Sequence, residues 1–117
     1  MAQIGLNHRL SVSRDLKAQT RALYQEVFHA NLSSPHEDLD AFSLANGSGI
    51  GVFYVDPLDA LTPEDHMKAI WLEFEVPSVE QAASALASMG IRPFDYFDKS
   101  HHYFQAPGGQ CFRLAER

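Results

Sequence analysis

The sequence has almost no cysteine, no concentrated positive charge and no long apolar run. Cys111 is the only cysteine among 117 residues, so an intrachain disulfide and a thiolate metal cluster are both excluded. The 9 Lys and Arg residues face 15 Asp and Glu, with no basic run, which disfavours nucleic acid and anionic membranes as partners. No apolar stretch approaches the ~20 residues of a membrane span, and the start lacks a signal-peptide pattern. These absences predict a cytoplasmic location.

The composition that remains is typical of one soluble globular domain. Hydrophobic residues make up 45% of the chain and charged residues 21%, proportions at which a chain buries a core instead of staying disordered. A chain of this length forms one domain more readily than two. We therefore expect a single folded unit over 1–117.

The first half of the chain alternates polar and apolar residues and then changes to a helical period. Residues 6–12 predict a half-buried strand, whose apolar face carries Leu6, His8, Leu10 and Val12. An amphipathic helix is predicted over 13–31, and after a polar break two strands over 40–45 and 50–55 are joined by an Asn-Gly turn. This half reads as a strand, a helix, and two or three further strands.

The second half repeats that order. A strand is predicted over 69–76, a helix capped by Ser78 and ended by Gly90 follows, and three strands are predicted over 91–97, 101–106 and 110–115. The loop between the halves carries Thr62 and Pro63, which predict one short capped helical turn.

The two halves align with one another. Val12 aligns with Val76, and Ala45 with Ala106, so that strand, helix and hairpin turn all recur. This predicts an α+β fold of two tandem βαβββ modules, the first over about 1–56 and the second over about 69–117, joined by a loop over about 57–68.

The repeat, together with "LNHRLSV", "IWLEFEVPSVEQAASALASMGI" and "HHYFQAPGGQCFRLAE", resembles the vicinal oxygen chelate superfamily. That superfamily includes glyoxalase I, bleomycin-resistance proteins and extradiol dioxygenases. The resemblance implies a curved eight-stranded mixed sheet with helices on its convex side, a ligand cavity on its concave side, and a homodimer.

The resemblance also implies where a divalent metal would be held, on His and Glu side chains of the first and last strand of each module. Those positions fall at Trp71 and Arg113 in the second module, and at Asn7 and about Val52 in the first. These residues cannot form a metal site, so no cofactor is expected. The alternative is a metal held by His8, brought into the cavity by a one-residue shift of its strand, with a partner such as His66, His101 or Glu73.

The side chains expected in the cavity offer an aromatic surface and charge. Trp71 would stack on a ligand, and Arg113 would anchor an anionic group or else pair internally with Glu73 or Glu75. Cys111 is expected either as an apolar filler or along the cavity wall, and His8, His101 and His102 are candidates for acid–base catalysis. The predicted ligand-binding set is Trp71, Arg113, Glu73, Glu75, Asn7, Tyr54, Cys111 and Tyr103.

Three functions fit these observations. The first is a metal-independent, bleomycin-resistance-like protein that binds a small organic molecule as a dimer. The second is a metal-dependent lyase, isomerase or dioxygenase. The third is a degenerate module kept for protein association, whose concave face is filled by its own aromatic residues. The sequence does not name the ligand.

Overall fold

Seven strands in two separate sheets make up the framework of the chain, for which a computed structural model describes all 117 residues. The first sheet contains β1 (Asn7–Ser13), β2 (Asn31–His36), β3 (Leu39–Ser43) and β4 (Gly49–Val55), in the spatial order β1-β4-β3-β2. β1 and β4 run parallel, and the other neighbours are antiparallel. The first module thus forms a sheet of its own.

The second sheet contains β5 (Leu72–Val76), β6 (Tyr103–Gln105) and β7 (Cys111–Glu116), in the order β5-β7-β6. β5 and β7 are parallel, as β1 and β4 are in the first sheet. The α+β class is confirmed, but the prediction of one eight-stranded sheet is wrong. In these two sheets β1 and β5 are both edge strands, and each leaves one side unpaired.

The helices lie between strands in each half. The first helical segment begins with a 3₁₀ turn, Arg14–Leu16, continues as α1 (Lys17–Ala22) and ends as a π-helical turn, Leu23–Val27. This replaces the single helix predicted over 13–31. α2 (Pro63–His66) has the predicted Thr62 cap, and no helix is long and apolar enough to cross a bilayer.

The third helix, α3 (Val79–Ser88), has the predicted boundaries. The Ser78 side chain accepts a hydrogen bond from the Gln81 backbone N–H and so caps the first turn. Gly90 follows the helix with φ +79°, a left-handed conformation that glycine adopts without strain.

The hydrophobic core joins the two sheets through these helices. Most even-numbered residues of β1, β4, β5 and β7 are buried in this core, as Val12, Val52 and Phe74 illustrate. Leu23 and Leu86 belong to the same cluster. Odd-numbered residues point the other way, and we call that side of each sheet its open face.

The two hairpins recur in detail and correct the alignment of the halves. Leu44 N–H donates to Ser48 at 2.9 Å, and Ala106 N–H donates to Gln110 at 2.9 Å. Leu44 is therefore the counterpart of Ala106, in place of the Ala45 that the sequence alignment predicted. With this register the counterpart of Arg113 is Gly51 and not Val52.

Two predicted elements differ from those observed. β2 occupies the segment expected to be a polar break, and it tolerates Pro35 because it is an edge strand with an irregular register between Ser33 and His36. The strand predicted over 91–97 is missing from the second sheet, where a single bridge joins Phe94 to Tyr103. The chain beyond Phe94 leaves the plane of the sheet.

Candidate functional site

The open face of the second sheet brings three of the predicted residues, Glu73, Tyr103 and Trp71, around Arg113. The Arg113 Nε atom donates to Glu73 Oε1 at 2.8 Å, and Nη1 donates to the Tyr103 hydroxyl at 3.2 Å. The guanidinium lies 4.5 Å from the centre of the Trp71 ring, within cation–π range. Glu73 and Arg113 face each other directly in the β5–β7 register, so the sheet itself fixes their pairing.

A segment over 95–101, which we call the strap, covers part of this face. Its Asp98 carboxylate accepts from the Tyr103 hydroxyl at 2.7 Å and lies 3.5 Å from Arg113 Nη1. The Tyr96 ring packs 4.4 Å from the Tyr103 ring, centre to centre. Tyr103 is buried beneath the strap, while Trp71 remains 36% exposed.

The charges in this cluster reinforce one another. The pKa of Arg113 is raised, first by its hydrogen bond to Tyr103 and also by Glu73. The pKa of Asp98 is held well below its usual range by hydrogen bonds from Ser100 and then Tyr103. The pKa of Tyr103 is raised, chiefly by burial. At neutral pH Arg113 is therefore a cation, Asp98 an anion and Tyr103 a neutral hydroxyl donor.

The remaining predicted residues are divided between the two faces. Glu75 shares the open face of the second sheet, and Asn7 lies on the open face of the first. His8 has the orientation of Leu10 and Val12, so the one-residue shift that would bring it to the open face does not occur. Tyr54 does not line the open face: it is buried on the opposite side and donates to Asp40 at 2.8 Å.

Cys111 and His66 lie together under the loop between the modules. The Cys111 thiol is 3.6 Å from the His66 carbonyl oxygen, and burial raises the pKa of the thiol. His66 is buried, which lowers its pKa, and its Nδ1 atom has no hydrogen-bond partner. His66 is buried although it lies in the loop between the modules, because α2 packs against the second hairpin at Gly109.

The two adjacent histidines precede β6. His101 Nδ1 lies 2.8 Å from Ser100 Oγ and 3.8 Å from Asp98, so His101 belongs to the strap and its hydrogen bonds. His102 is exposed. The sequence did not single out Asp98, because an aspartate between two predicted strands reads as an ordinary loop residue.

The residues at the superfamily's metal positions do not fit a divalent cation. An indole and a guanidinium carry only hydrogen-bond donors, and Gly51 has no side chain, so Trp71, Arg113 and Gly51 supply no lone pair. Asn7 alone among the four has an oxygen to offer. No group of three or more His, Cys, Asp and Glu side chains has a metal-binding arrangement anywhere in the chain.

One cavity lies at the seam between the modules. Its volume is about 380 Å³, and it runs along the unpaired side of β5. Phe28 and Phe74 are among its apolar lining residues, and Glu26 and Glu75 are among the charged ones. Glu73 also lines this cavity, so the cavity borders the open face of the second sheet along β5.

Comparison with known proteins identifies the fold. No protein-family model and no curated protein sequence matches the chain. Among solved structures, the fosfomycin resistance protein FosX of Listeria monocytogenes, in complex with Mn(II) and sulfate, is 19% identical with a TM-score of 0.73, over 99% of this chain and 91% of that one.

Two further structures have the same fold. A Bacillus anthracis protein assigned to the glyoxalase family is 16% identical with a TM-score of 0.71, over 100% of this chain and 97% of that one. A Vibrio cholerae integron cassette protein is 15% identical with a TM-score of 0.67, over 99% and 97% of the chains. The resemblance to the vicinal oxygen chelate superfamily is thereby confirmed at the level of the fold, and fold alone does not establish an activity.

Proposed function

We propose, from the premise that the chain has the vicinal oxygen chelate fold, that it binds a small organic molecule on the open face of the second sheet without using a metal. The observation that carries this proposal is the Arg113 guanidinium 4.5 Å from a Trp71 ring that is 36% exposed. A half-exposed tryptophan beside a fixed cation is a surface suited to a planar, charged or polarised ligand.

The residues of the open face would divide the binding task between them. Trp71 offers its ring for stacking, and Arg113 offers donors toward an anionic or carbonyl oxygen of the ligand. Glu73 holds the guanidinium in place through the 2.8 Å contact at Nε, so Arg113 is oriented before the ligand arrives. Preorganisation of this kind reduces the entropy lost on binding.

We also propose that the chain forms a homodimer through its unpaired strand edges. β1 and β5 both end their sheets with an unpaired side, and an unpaired strand edge readily associates with another chain. Ile70 and Phe97 add apolar side chains that are 72% and 84% exposed. We expect a homodimer, which light scattering coupled to size-exclusion chromatography measures directly.

Protein association without a ligand is the second candidate function. It is favoured by the packing of Tyr96, Tyr103 and Trp71 against one another on the open face, which is the filling that a degenerate module predicts. The metal-dependent alternative has less support, because His8 is on the other face and three of the four metal positions lack ligand atoms.

A fragment screen tests the proposal, with Trp71 as its own reporter because it is the only tryptophan. We expect fragments that change Trp71 fluorescence and whose affinity, measured by calorimetry, falls about tenfold in Trp71→Ala, a loss of ~1.4 kcal/mol. Leu58→Ala removes a 93% exposed apolar side chain from the loop between the modules and serves as the control. Equal losses in both variants, or no binding to a dimeric protein, would favour the association function.

A further inference from the structure

We infer that the strap over 95–101 is a built-in competitor for this surface: Asp98 occupies the position of a ligand carboxylate on Arg113 and Tyr103, and a small aromatic carboxylate binds by displacing it. The inference rests on the proposed function and goes beyond it by giving the ligand class and a control element. The observed arrangement, with Asp98 on Arg113 and Tyr103, is then the closed state of the surface.

Asp98 is held as a bound carboxylate would be held. One oxygen, Oδ2, accepts from the Tyr103 hydroxyl at 2.7 Å and lies 3.5 Å from Arg113 Nη1. The other oxygen, Oδ1, accepts from the Ser100 backbone N–H at 2.9 Å and from its hydroxyl at 2.6 Å. The face thus already shows that it can hold a carboxylate with an arginine and a tyrosine.

Apart from the contact between the Tyr96 and Tyr103 rings, the strap has few other attachments to the sheet. None of its seven residues takes part in a backbone–backbone hydrogen bond, and every polar side-chain contact from the strap to the sheet involves Asp98. The Asp95–Lys99 ion pair stays within the strap, between exposed side chains. Phe97, near the middle of the strap, is 84% exposed. Few backbone bonds and few buried apolar contacts are the features of segments that open at low cost in free energy.

The groups left free when Asp98 moves away determine the ligand class. Arg113 Nη1 and the Tyr103 hydroxyl become available donors, while Glu73 keeps its hold on Arg113 Nε. The free donors match one carboxylate, since Glu73 already occupies the Nε side of the Arg113 guanidinium. The exposed Trp71 ring lies edge-on to Tyr103, with ring centres 5.5 Å apart, so an aromatic ring joined to the carboxylate would lie along the indole.

Benzoate is the probe, and benzamide is its uncharged counterpart of the same shape. Both are titrated against the wild-type chain, Asp98→Asn and Asp95→Asn, with Trp71 fluorescence and calorimetry as readouts. Asp95→Asn removes the same charge from the same strap, but its side chain contacts only Lys99. Circular dichroism and thermal unfolding establish that each variant is folded.

We expect benzoate to bind Asp98→Asn roughly fivefold more tightly than the wild type, the size of effect that removing one partly exposed competing charge produces. Asp95→Asn should match the wild type, Arg113→Gln should lose benzoate binding, and benzamide should distinguish none of the variants. Asp98→Ala, which has no hydrogen-bonding side chain at this position, should show the same gain as Asp98→Asn.

Three outcomes would overturn the inference. An unchanged or weaker benzoate affinity in Asp98→Asn would make the Asp98 contact structural. An equal gain for benzamide would mean that the strap blocks the surface sterically and not through its charge. Absence of benzoate binding in every protein would exclude the carboxylate site, yet uncharged fragments that depend on Trp71 would still support the proposed function.

Discussion

Each half of the molecule holds one aspartate with an arginine, a tyrosine and a serine, and the two groups differ mainly in where they lie. In the first half the group consists of Asp40, Arg21, Tyr54 and Ser34. In the second half it consists of Asp98, Arg113, Tyr103 and Ser100. The same side-chain chemistry therefore appears once inside the core and once on an open face.

The location changes what the group can do. Asp40 is 0% exposed, and Arg21 contacts both of its oxygens at 2.8 Å. Asp98 is held on a strap without backbone hydrogen bonds, and its distance to Arg113 is 3.5 Å. A buried charge that loses its partner is costly, whereas water compensates an exposed one. The first group is fixed for stability, and the second can be exchanged for a ligand.

Removal of the aspartate from each group should give the largest contrast. Asp40→Ala should lower the free energy of unfolding by about 3 kcal/mol, because Tyr54 and Arg21 lose a buried partner. Asp98→Ala should change it little, because Arg113 keeps Glu73 and faces water. Urea unfolding followed by circular dichroism measures both. Losses of similar size in the two variants would show that the strap is a structural element and not a displaceable one.

A fall in pH should change the stabilising contributions of the two aspartates, Asp40 and Asp98, by different amounts. The Arg21 hydrogen bond lowers the pKa of Asp40 to about 2. Because the pKa of Asp40 is lower in the folded state than in the unfolded chain, the Asp40 carboxylate stabilises the fold fully above about pH 4. This contribution to the free energy of unfolding is about 2 kcal/mol, and it is lost as the pH falls toward 2.

Asp40→Asn should flatten the dependence of the unfolding free energy on pH between about pH 4 and 2. The pKa of Asp98 is also lowered, by hydrogen bonds from Ser100 and then Tyr103, but its contacts are local and open to water. Asp98→Asn should therefore leave the acid slope close to that of the wild type. A slope that depends more on Asp98 than on Asp40 would reverse the assignment of the two groups.

The corresponding glycines of the two hairpins allow a smaller comparison. Gly47 has φ +86° and Gly109 has φ +110°, so alanine is strained at both positions. A Cβ atom on Gly109 would also lie 2.6 Å from the Pro63 Cα atom, whereas one on Gly47 would meet only Leu6 Cδ1 at 4.0 Å.

Gly47→Ala should cost about 1 kcal/mol and Gly109→Ala about 2 kcal/mol, because the second adds a backbone clash to the same strain. Thermal unfolding measures both. Equal costs would mean that the loop carrying α2 moves away freely and does not pack tightly on the second hairpin.

The parts of the fold that depend on neighbouring residues were predictable from the sequence. Thr62 with Pro63, and Ser78 with Gly90, define helix ends through contacts within a few residues. The hairpin turns were found for the same reason, but their alignment was one residue off. The alignment matched Ala45 with Ala106 because both are alanines, and it ignored which carbonyl closes each turn. A shift of one residue in the alignment moves a strand residue to the opposite face of the sheet.

The strap could not be predicted, because its sequence "DYF" has the aromatic content of a strand. The β2 segment of the first half pairs with β3, but its counterpart stops at one bridge and turns onto the open face. That outcome depends on Asp98 meeting Arg113 and Tyr103, residues that follow it in the chain and come together only in the folded sheet. The separation into two sheets likewise depends on packing between the two halves of the chain, which local sequence patterns do not predict.

The smallest contrast concerns the arginine on each open face. On the first sheet Arg9 lies 4.5 Å from the centre of the Phe53 ring. The residue opposite Arg9 in the neighbouring strand is Gly51, which has no side chain to contact the guanidinium. Arg113 lies at the same distance from Trp71, but Glu73 and Tyr103 also hold it. A double-mutant cycle of Arg9→Gln and Phe53→Leu should give a coupling energy of about 0.5 kcal/mol.

The matching cycle of Arg113→Gln and Trp71→Leu should give a larger coupling, because Glu73 fixes the guanidinium in the position where it meets the ring. Adding Glu73→Gln as a third change should reduce the Arg113–Trp71 coupling toward the value of the Arg9–Phe53 pair, which has no such support. If the two pairs couple equally while Glu73 is intact, Arg113 is no better oriented than a solvated arginine. The open face of the second sheet would then have no advantage over the first as a binding surface.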